Sequence, residues 1–176
     1  MTYENILFDV TGGVATITMN RNDTRNALSW GMADDISDAL DRLGDARVLI
    51  ITGAGKGFCA GADLKAESAP GAIPGTDGMS HLGYVYKYQE YLADLMLAIH
   101  ECDKPVIAAI NGAAVGGGFA IALASDIRIA SEKARFGAVF IKTGLSSCDV
   151  GTSYFLPRLV GASVAAGLVA VAFVPV

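Results

Sequence analysis

A triple glycine opening a helix that has no polar face constrains this chain more than any other feature. The stretch reads Asn111-Gly-Ala-Ala-Val-Gly-Gly-Gly-Phe-Ala-Ile-Ala-Leu-Ala-Ser-Asp126. It follows Pro105 and an apolar run over residues 106–110, which has the length and composition of a buried strand. Asn111-Gly112 is a turn signal. From Phe119 to Ala124 every residue is apolar, so the helix they form has to be internal. Glycine loses more backbone freedom on folding than any other residue, so three in a row at the mouth of a buried helix imply a close approach that a side chain would block. A group arriving at a helix start meets unpaired N–H groups and the positive end of the helix dipole. That suits an anion or a developing oxyanion. The same glycines equally suit tight packing of the helix on its strand, and this stretch alone leaves both readings open.

The chain around it has 176 residues, the size of one domain, and can bury roughly 70% of its unfolded surface. With 52% hydrophobic residues, 18% charged residues and a net charge of -5, it carries no basic patch for nucleic acid or acidic lipid, and we expect neither partner. Cys59, Cys102 and Cys148 are far apart and form no Cys-x-x-Cys pair, which argues against a disulfide frame or a metal site. A reducing cytoplasm fits this pattern. The first residues, Met1-Thr-Tyr-Glu-Asn-Ile-Leu-Phe-Asp, lack the basic and apolar regions of a signal peptide.

Residues 6–10 and 14–19 are β-branched-rich runs around Thr11-Gly12-Gly13, which predicts a hairpin. Ser29 stands where a helix N-cap belongs, with Met32, Ile36, Leu40 and Leu43 as one apolar stripe and Gly44 as the stop. Val48-Leu-Ile-Ile51 predicts a strand covered on both faces. Residues 64–81, rich in Ala, Gly and Pro, predict a mobile surface loop able to serve as a lid. A long helix then runs to about Cys102 on Leu82, Val85, Leu92, Leu95, Met96 and Ile99. Tyr84, Tyr86, Tyr88 and Tyr91 on it are expected to fill core or interface, and His81 and His100 lack metal-ligand spacing. After a further short strand at residues 127–130, the chain has run from helix to strand three times. A hairpin followed by such units implies an α/β layered core with loop-borne ligand contacts.

Several familiar sites are excluded. Gly53-Ala-Gly-Lys-Gly57 is no phosphate-binding P-loop, because Ile50 replaces its first glycine and Gly57 its hydroxyl residue. Neither this loop nor Gly116 to Gly118 completes a dinucleotide fingerprint, since Phe58 and Ile121 occupy the last glycine position. A Gly-x-Ser-x-Gly elbow and a His-Glu-x-x-His pair are both missing.

Phe58-Cys-Ala-Gly-Ala-Asp-Leu-Lys65 forms a second small-residue turn after a strand, with a backbone open to a ligand. With Arg25-Asn-Ala-Leu28, Asn111-Gly-Ala-Ala-Val-Gly-Gly-Gly118, Ser125-Asp-Ile-Arg-Ile-Ala130, Phe136-Gly137 and Leu156-Pro-Arg-Leu-Val-Gly161, this ordered set resembles the crotonase, or enoyl-CoA hydratase/isomerase, superfamily. The resemblance implies an α/β spiral of β-β-α units and subunits assembled as a homotrimer or hexamer. It implies an acyl-CoA or enoyl-CoA thioester as the small-molecule partner, with coenzyme A part of the substrate and no permanent cofactor or metal. The catalytic donors would be the backbone N–H groups of Ala62 and Gly117, holding the thioester oxygen as it becomes an enolate. Arg25, Ala27, Ala60, Gly61, Asp63, Leu64, Gly116 and Phe140 would line the coenzyme A and acyl site, with backbone around Ala60, Asp63 and Leu64 receiving the adenine and pantetheine end.

The chain also departs from the family. Hydratases of this superfamily use two glutamates, and their motif positions hold Ala120 and Phe140 here, neither of which can move a proton. Members that isomerise double bonds or hydrolyse thioesters carry an acid elsewhere, which makes Asp149 the candidate base; as a residue type it also suits a helix cap before residues 150–156. A catalytically inactive acyl-CoA-binding relative is the alternative reading, and a purely structural oligomer a third. No charged residue follows Arg158. We expect residues 1–163 to form the acyl-CoA-binding core, a truncated C-terminal helical region, and residues 164–176 as an atypical apolar tail where the frame leaves the family pattern. A short native form and a tail anchor are the other two accounts of that segment.

Overall fold

The computed structural model of the chain describes residues 2–65, 73–146 and 149–171. Strands β1 (Ile6–Thr11) and β2 (Val14–Met19) form the expected antiparallel hairpin. Its turn places Gly12 at φ 62° and Gly13 at φ 81°, where two consecutive left-handed residues suit the twist of a tight hairpin. In β2, Ala15, Ile17 and Met19 are fully buried and alternate with partly exposed threonines. Helix α1 (Trp30–Asp41) is capped by Ser29, whose Oγ accepts from the Met32 N–H at 3.2 Å. Its stripe of Met32, Ile36 and, just beyond the helix, Leu43 packs into the core.

From there the chain repeats one unit of two strands and a helix. Strands β3 (Val48–Gly53) and β4 (Gly57–Cys59) lead to α2 (His81–His100). Strands β5 (Val106–Ile110) and β6 (Ala113–Val115) lead to α3 (Gly117–Ala124). Strands β7 (Ile127–Ala130) and β8 (Arg135–Gly137) lead through 3-10 turns to α4 (Thr152–Val160) and α5 (Ala162–Val171). The first strand of each unit joins one sheet, in the order β1-β2-β3-β5-β7. The second joins a small sheet, β4-β6-β8, and every pairing except β1–β2 is parallel. Successive units thus stack on one another, as the spiral of β-β-α units implied by the resemblance requires.

The short strands β4, β6 and β8 have three residues each, too few for a period-two pattern, and the helix-then-strand order visible in the sequence misses them. Residues 64–81 differ from expectation in part. Ile73 and Thr76 are buried, and Thr76 bonds back to the Ile73 carbonyl through both N–H and hydroxyl, so this half is packed against the fold; residues 66–72 lie outside the described residues. The tyrosines of α2 divide as an amphipathic helix requires. Tyr84 is buried, Tyr91 packs on Trp30 with ring centroids 3.9 Å apart, and Tyr86 is exposed. His100 meets Phe155 edge to face. The Ser163 boundary falls inside α5, whose Ala165 is buried, with Leu168 and Val169 packed on the core. Residues 172–176 lie outside the described part. Among the described residues no helix is long and apolar enough to cross a membrane.

Candidate functional site

Parallel pairing of β4 with β6 aligns Gly57 with Ala113 and Cys59 with Ala114, so the turns that follow the two strands emerge side by side. The first turn carries Ala60 to Leu64; the second carries Gly116 and the start of α3. Their backbones nearly touch. A β carbon on Gly61 would stand 2.9 Å from the Val115 carbonyl oxygen and 3.6 Å from the Gly117 nitrogen. One on Gly117 would stand 3.8 Å from the Ala62 nitrogen. The glycines therefore allow two backbones to approach one another, and the approach brings two amides together.

The direction of the Ala62 N–H follows from its neighbours. Leu28 makes a parallel bridge to Ala62: its N–H donates to the Gly61 carbonyl at 2.7 Å, and its carbonyl accepts from the Asp63 N–H at 2.8 Å. In a strand the peptide between two such bonds faces the opposite way, so the Ala62 N–H turns from Leu28 toward α3. Gly117 is the first residue of α3, where no intrahelical acceptor exists. Neither N–H has an acceptor among the described residues. The Tyr88 hydroxyl donates to the Leu28 carbonyl at 3.0 Å and ties α2 to the bridge.

A cavity of about 130 Å³ lies against these two amides. Ala60, Gly61, Ala62, Leu64, Gly116, Gly117, Phe140 and Asp149 all line it. Its remaining walls include Leu92, Val139 and Leu145. Arg25 borders a second, larger cleft of about 950 Å³, together with Lys56, Asn22 and Gly55, and Ala60 belongs to both hollows. Ala27 and Asp63 reach neither. The Ala27 carbonyl accepts from Arg21 Nη1 at 2.6 Å. The Asp63 carboxylate pairs with Arg21 Nη2 at 2.9 Å and accepts the Lys65 N–H at 3.1 Å, contacts that hold the turn. Ala120 is fully buried inside α3.

Asp149 is the one ionisable side chain among the described residues around the smaller cavity. The helix-cap reading does not describe it: the N-cap of α4 is Gly151, with no side-chain cap bond, and Asp149 Oδ1 accepts from Val150 N at 3.0 Å. Val150, whose N–H makes this bond, sits at φ 41°, an uncommon conformation for a β-branched residue. Burial pushes the Asp149 carboxyl above its ordinary value, against hydrogen bonds from the Val150 N–H and the Gln89 side chain. Beneath the cavity, burial pushes the Cys59 thiol up to about 12, which removes it as a nucleophile.

Two residues of this site escape the sequence reading. Asn26, fully buried at φ 57°, donates from Nδ2 to the carbonyls of Ala54 and Gly57 at 3.0 Å and of Phe58 at 3.2 Å, and accepts the Arg21 N–H at 2.9 Å. It pins the Arg25-Asn-Ala-Leu28 segment to β4. Gln89 lines the cavity from α2. A signal for it exists: Gln89 follows Val85 by four and precedes Leu92 by three, a polar residue on the helix's apolar stripe.

The family model described as enoyl-CoA hydratase/isomerase matches residues 9–173. A probable enoyl-CoA hydratase of Mycobacterium leprae, echA12, is 43% identical over 153 residues, which are 85% of this chain and 51% of that protein. Among solved structures, a probable enoyl-CoA hydratase/isomerase from Mycobacterium abscessus superposes with a TM-score of 0.84 at 36% identity, covering 94% of this chain and 61% of that one. An enoyl-CoA hydratase from Bacillus anthracis gives a TM-score of 0.84 at 35% identity, covering 96% and 63%. The chain thus spans about half to two thirds of the length of the proteins it matches.

Proposed function

Because the chain belongs to the enoyl-CoA hydratase/isomerase family, we propose that it binds an acyl-CoA or enoyl-CoA thioester and stabilises its enolate between the N–H groups of Ala62 and Gly117, with Asp149 as the base. One observation carries this reading. Two backbone donors from separate units, without an acceptor among the described residues, and one carboxyl, raised by burial, line the same small cavity. When a C–H proton beside the thioester moves to the Asp149 carboxylate, the bonding electrons flow to the carbonyl oxygen. Two preorganised donors there lower the barrier, and removing one of them typically costs about 3 kcal/mol. Returning the proton to another carbon of the same enolate shifts the double bond. One carboxyl suffices for that cycle, whereas hydration by a glutamate pair is not available to Ala120 and Phe140.

The larger cleft supports the coenzyme A end of the ligand. Arg25 and Lys56 offer positive charge for its phosphates, and Ala60, common to both hollows, marks where a pantetheine arm would pass inward. Assembly as a trimer or pair of trimers belongs to the same reading and is supported by exposed Ile127 and Ile129 on the edge strand β7.

The alternative, a binding protein without turnover, is favoured by Ala120 and Phe140 alone. Calorimetric titration with an acyl-CoA and the absorbance of a conjugated enoyl-CoA separate the two readings. Turnover lost in Asp149→Asn supports the enzyme. Affinity with no turnover in the native chain supports the binder, and turnover indifferent to Asp149→Asn removes Asp149 as the base.

A further inference from the structure

The side-chain amide of Gln89 is held in an arrangement that its own surroundings do not explain. Gln89 stands on α2 and lines the same cavity as Asp149, and α2 packs directly on the 3-10 turn that carries Asp149. Its Oε1 is buried and has no hydrogen-bond partner among the described residues. A buried carbonyl left in that state costs about 1–3 kcal/mol, so the fold tolerates an unsatisfied acceptor for the sake of something else. The other end of the amide supplies the reason, since Gln89 and Asp149 line the same cavity and the Gln89 side chain acts on the Asp149 carboxyl against the upward push of burial. An aliphatic side chain at this point of the apolar stripe would remove the orphaned oxygen and match Val85 and Leu92, so packing alone favours replacing the glutamine.

We propose that Gln89 is a positioning residue for Asp149: its Nε2–H donor and the Val150 N–H hold the carboxylate from two sides, aim it into the cavity and keep it able to accept a proton. This inference rests on the reading of Asp149 as the base. Gln89 exchanges no proton itself. The proton passes from the substrate carbon to an Asp149 oxygen and back, while the C–H electron pair is held in the enolate. The amide's role is to stabilise the charged form against the burial that opposes it.

The charges around Asp149 leave this role to the two hydrogen bonds. On α2, Lys87 and Glu90 pair with one another at 2.6 Å, and Asp94 is exposed. Helix α3 carries no ionisable side chain. On α4, Arg158 lies over the Tyr154 ring. None of them contributes to the titration of Asp149.

The test follows the Asp149 carboxyl carbon by carbon-13 NMR across a pH series, assigned through its disappearance in Asp149→Asn, in the native chain, Gln89→Met and Gln89→Glu. Loss of the donor in Gln89→Met is expected to move the midpoint up by about one pH unit. In Gln89→Glu a second carboxyl should move it further and produce two coupled steps, and this variant preserves side-chain length should the first fold poorly. The acidic limb of kcat/KM should move with the midpoint. Midpoints equal to the native value in both variants overturn the inference, as does a rate lowered equally at every pH with the limb in place, the behaviour of a merely structural residue. If Asp149→Asn leaves turnover intact, it is the assignment of the base that fails instead.

Discussion

Gly118 packs directly on Cys59, so that a β carbon added to the glycine would lie 2.6 Å from the Cys59 β carbon and would overlap the Cys59 carbonyl. That contact seats the first turn of α3 on the end of β4, and the proximity of Gly117 to Ala62 follows from it. The same glycine run therefore contains one position required by packing and, beside it, one with room for a ligand.

These two positions should respond differently to a methyl group. Gly118→Ala meets backbone that cannot yield, and we expect a loss of at least about 3 kcal/mol or failure to fold. Gly117→Ala meets only the Leu28 Cδ1 atom at 2.9 Å, the end of a flexible side chain, and should fold. Its methyl would stand 3.8 Å from the Ala62 nitrogen, inside the space required by an oxyanion, so turnover should fall on the order of 100-fold. Thermal melts and enoyl-CoA turnover of the pair check this, and native turnover in Gly117→Ala removes the oxyanion assignment.

Asp149→Asn should stabilise the fold at pH 7. Burial raises the native carboxyl above its ordinary value of 3.8, so over the window between that value and the raised one the folded state binds more protons than the unfolded state. Stability contributed by this group is therefore present below 3.8 and lost as pH rises through the folded value. Urea unfolding at a series of pH values should show the asparagine variant ahead at pH 7 and the advantage shrinking as the pH falls through that window. A variant less stable than the native chain at pH 7 contradicts the sign.

Asn26 allows its backbone and side-chain roles to be separated. Asn26→Ala takes this partner from the Ala54, Gly57 and Phe58 carbonyls, of which Gly57 keeps Asn111, and from the Arg21 N–H, and it leaves a β carbon at φ 57° without the hydrogen bonds that hold asparagine there; we expect a loss of about 3 kcal/mol or more. Asn26→Gly loses the same hydrogen bonds but accepts the left-handed backbone, so it should be about 1 kcal/mol less damaging than alanine. Equal losses in urea titrations would mean that the backbone conformation contributes nothing.

The Cys59 thiol should be inert in the folded chain. With its titration pushed up to about 12 by complete burial, it stays protonated and covered at pH 8, whereas Cys102 is partly exposed. Peptide mapping after brief maleimide treatment should find Cys102 modified and Cys59 free, with Cys59 labelled only at the rate of global opening. Rapid labelling of Cys59 under native conditions would show that β4 opens independently.

Much of the chain's local structure could be read from its order of residues. The runs at residues 48–51 and 106–110, the Ser29 cap, the apolar stripes of α1 and α2 and the wholly apolar α3 are all local patterns, because strand and helix periods are written into neighbouring side chains. The glycine and alanine turns also marked where backbone would be left open. Which of those turns face each other was decided by the tertiary structure. Strands β4 and β6 are too short to announce themselves, yet their pairing sets Ala62 against Gly117 and leaves Ala27 and Asp63 outside the cavity. Arg21 claims Asp63, Asn26 binds β4, and Gln89 reaches Asp149 from a helix sixty residues earlier; these are long-range contacts whose partners share no spacing in the chain. A periodic pattern records the environment of one element, whereas a site records the meeting of several, and only the parallel stacking of the units determines which atoms meet.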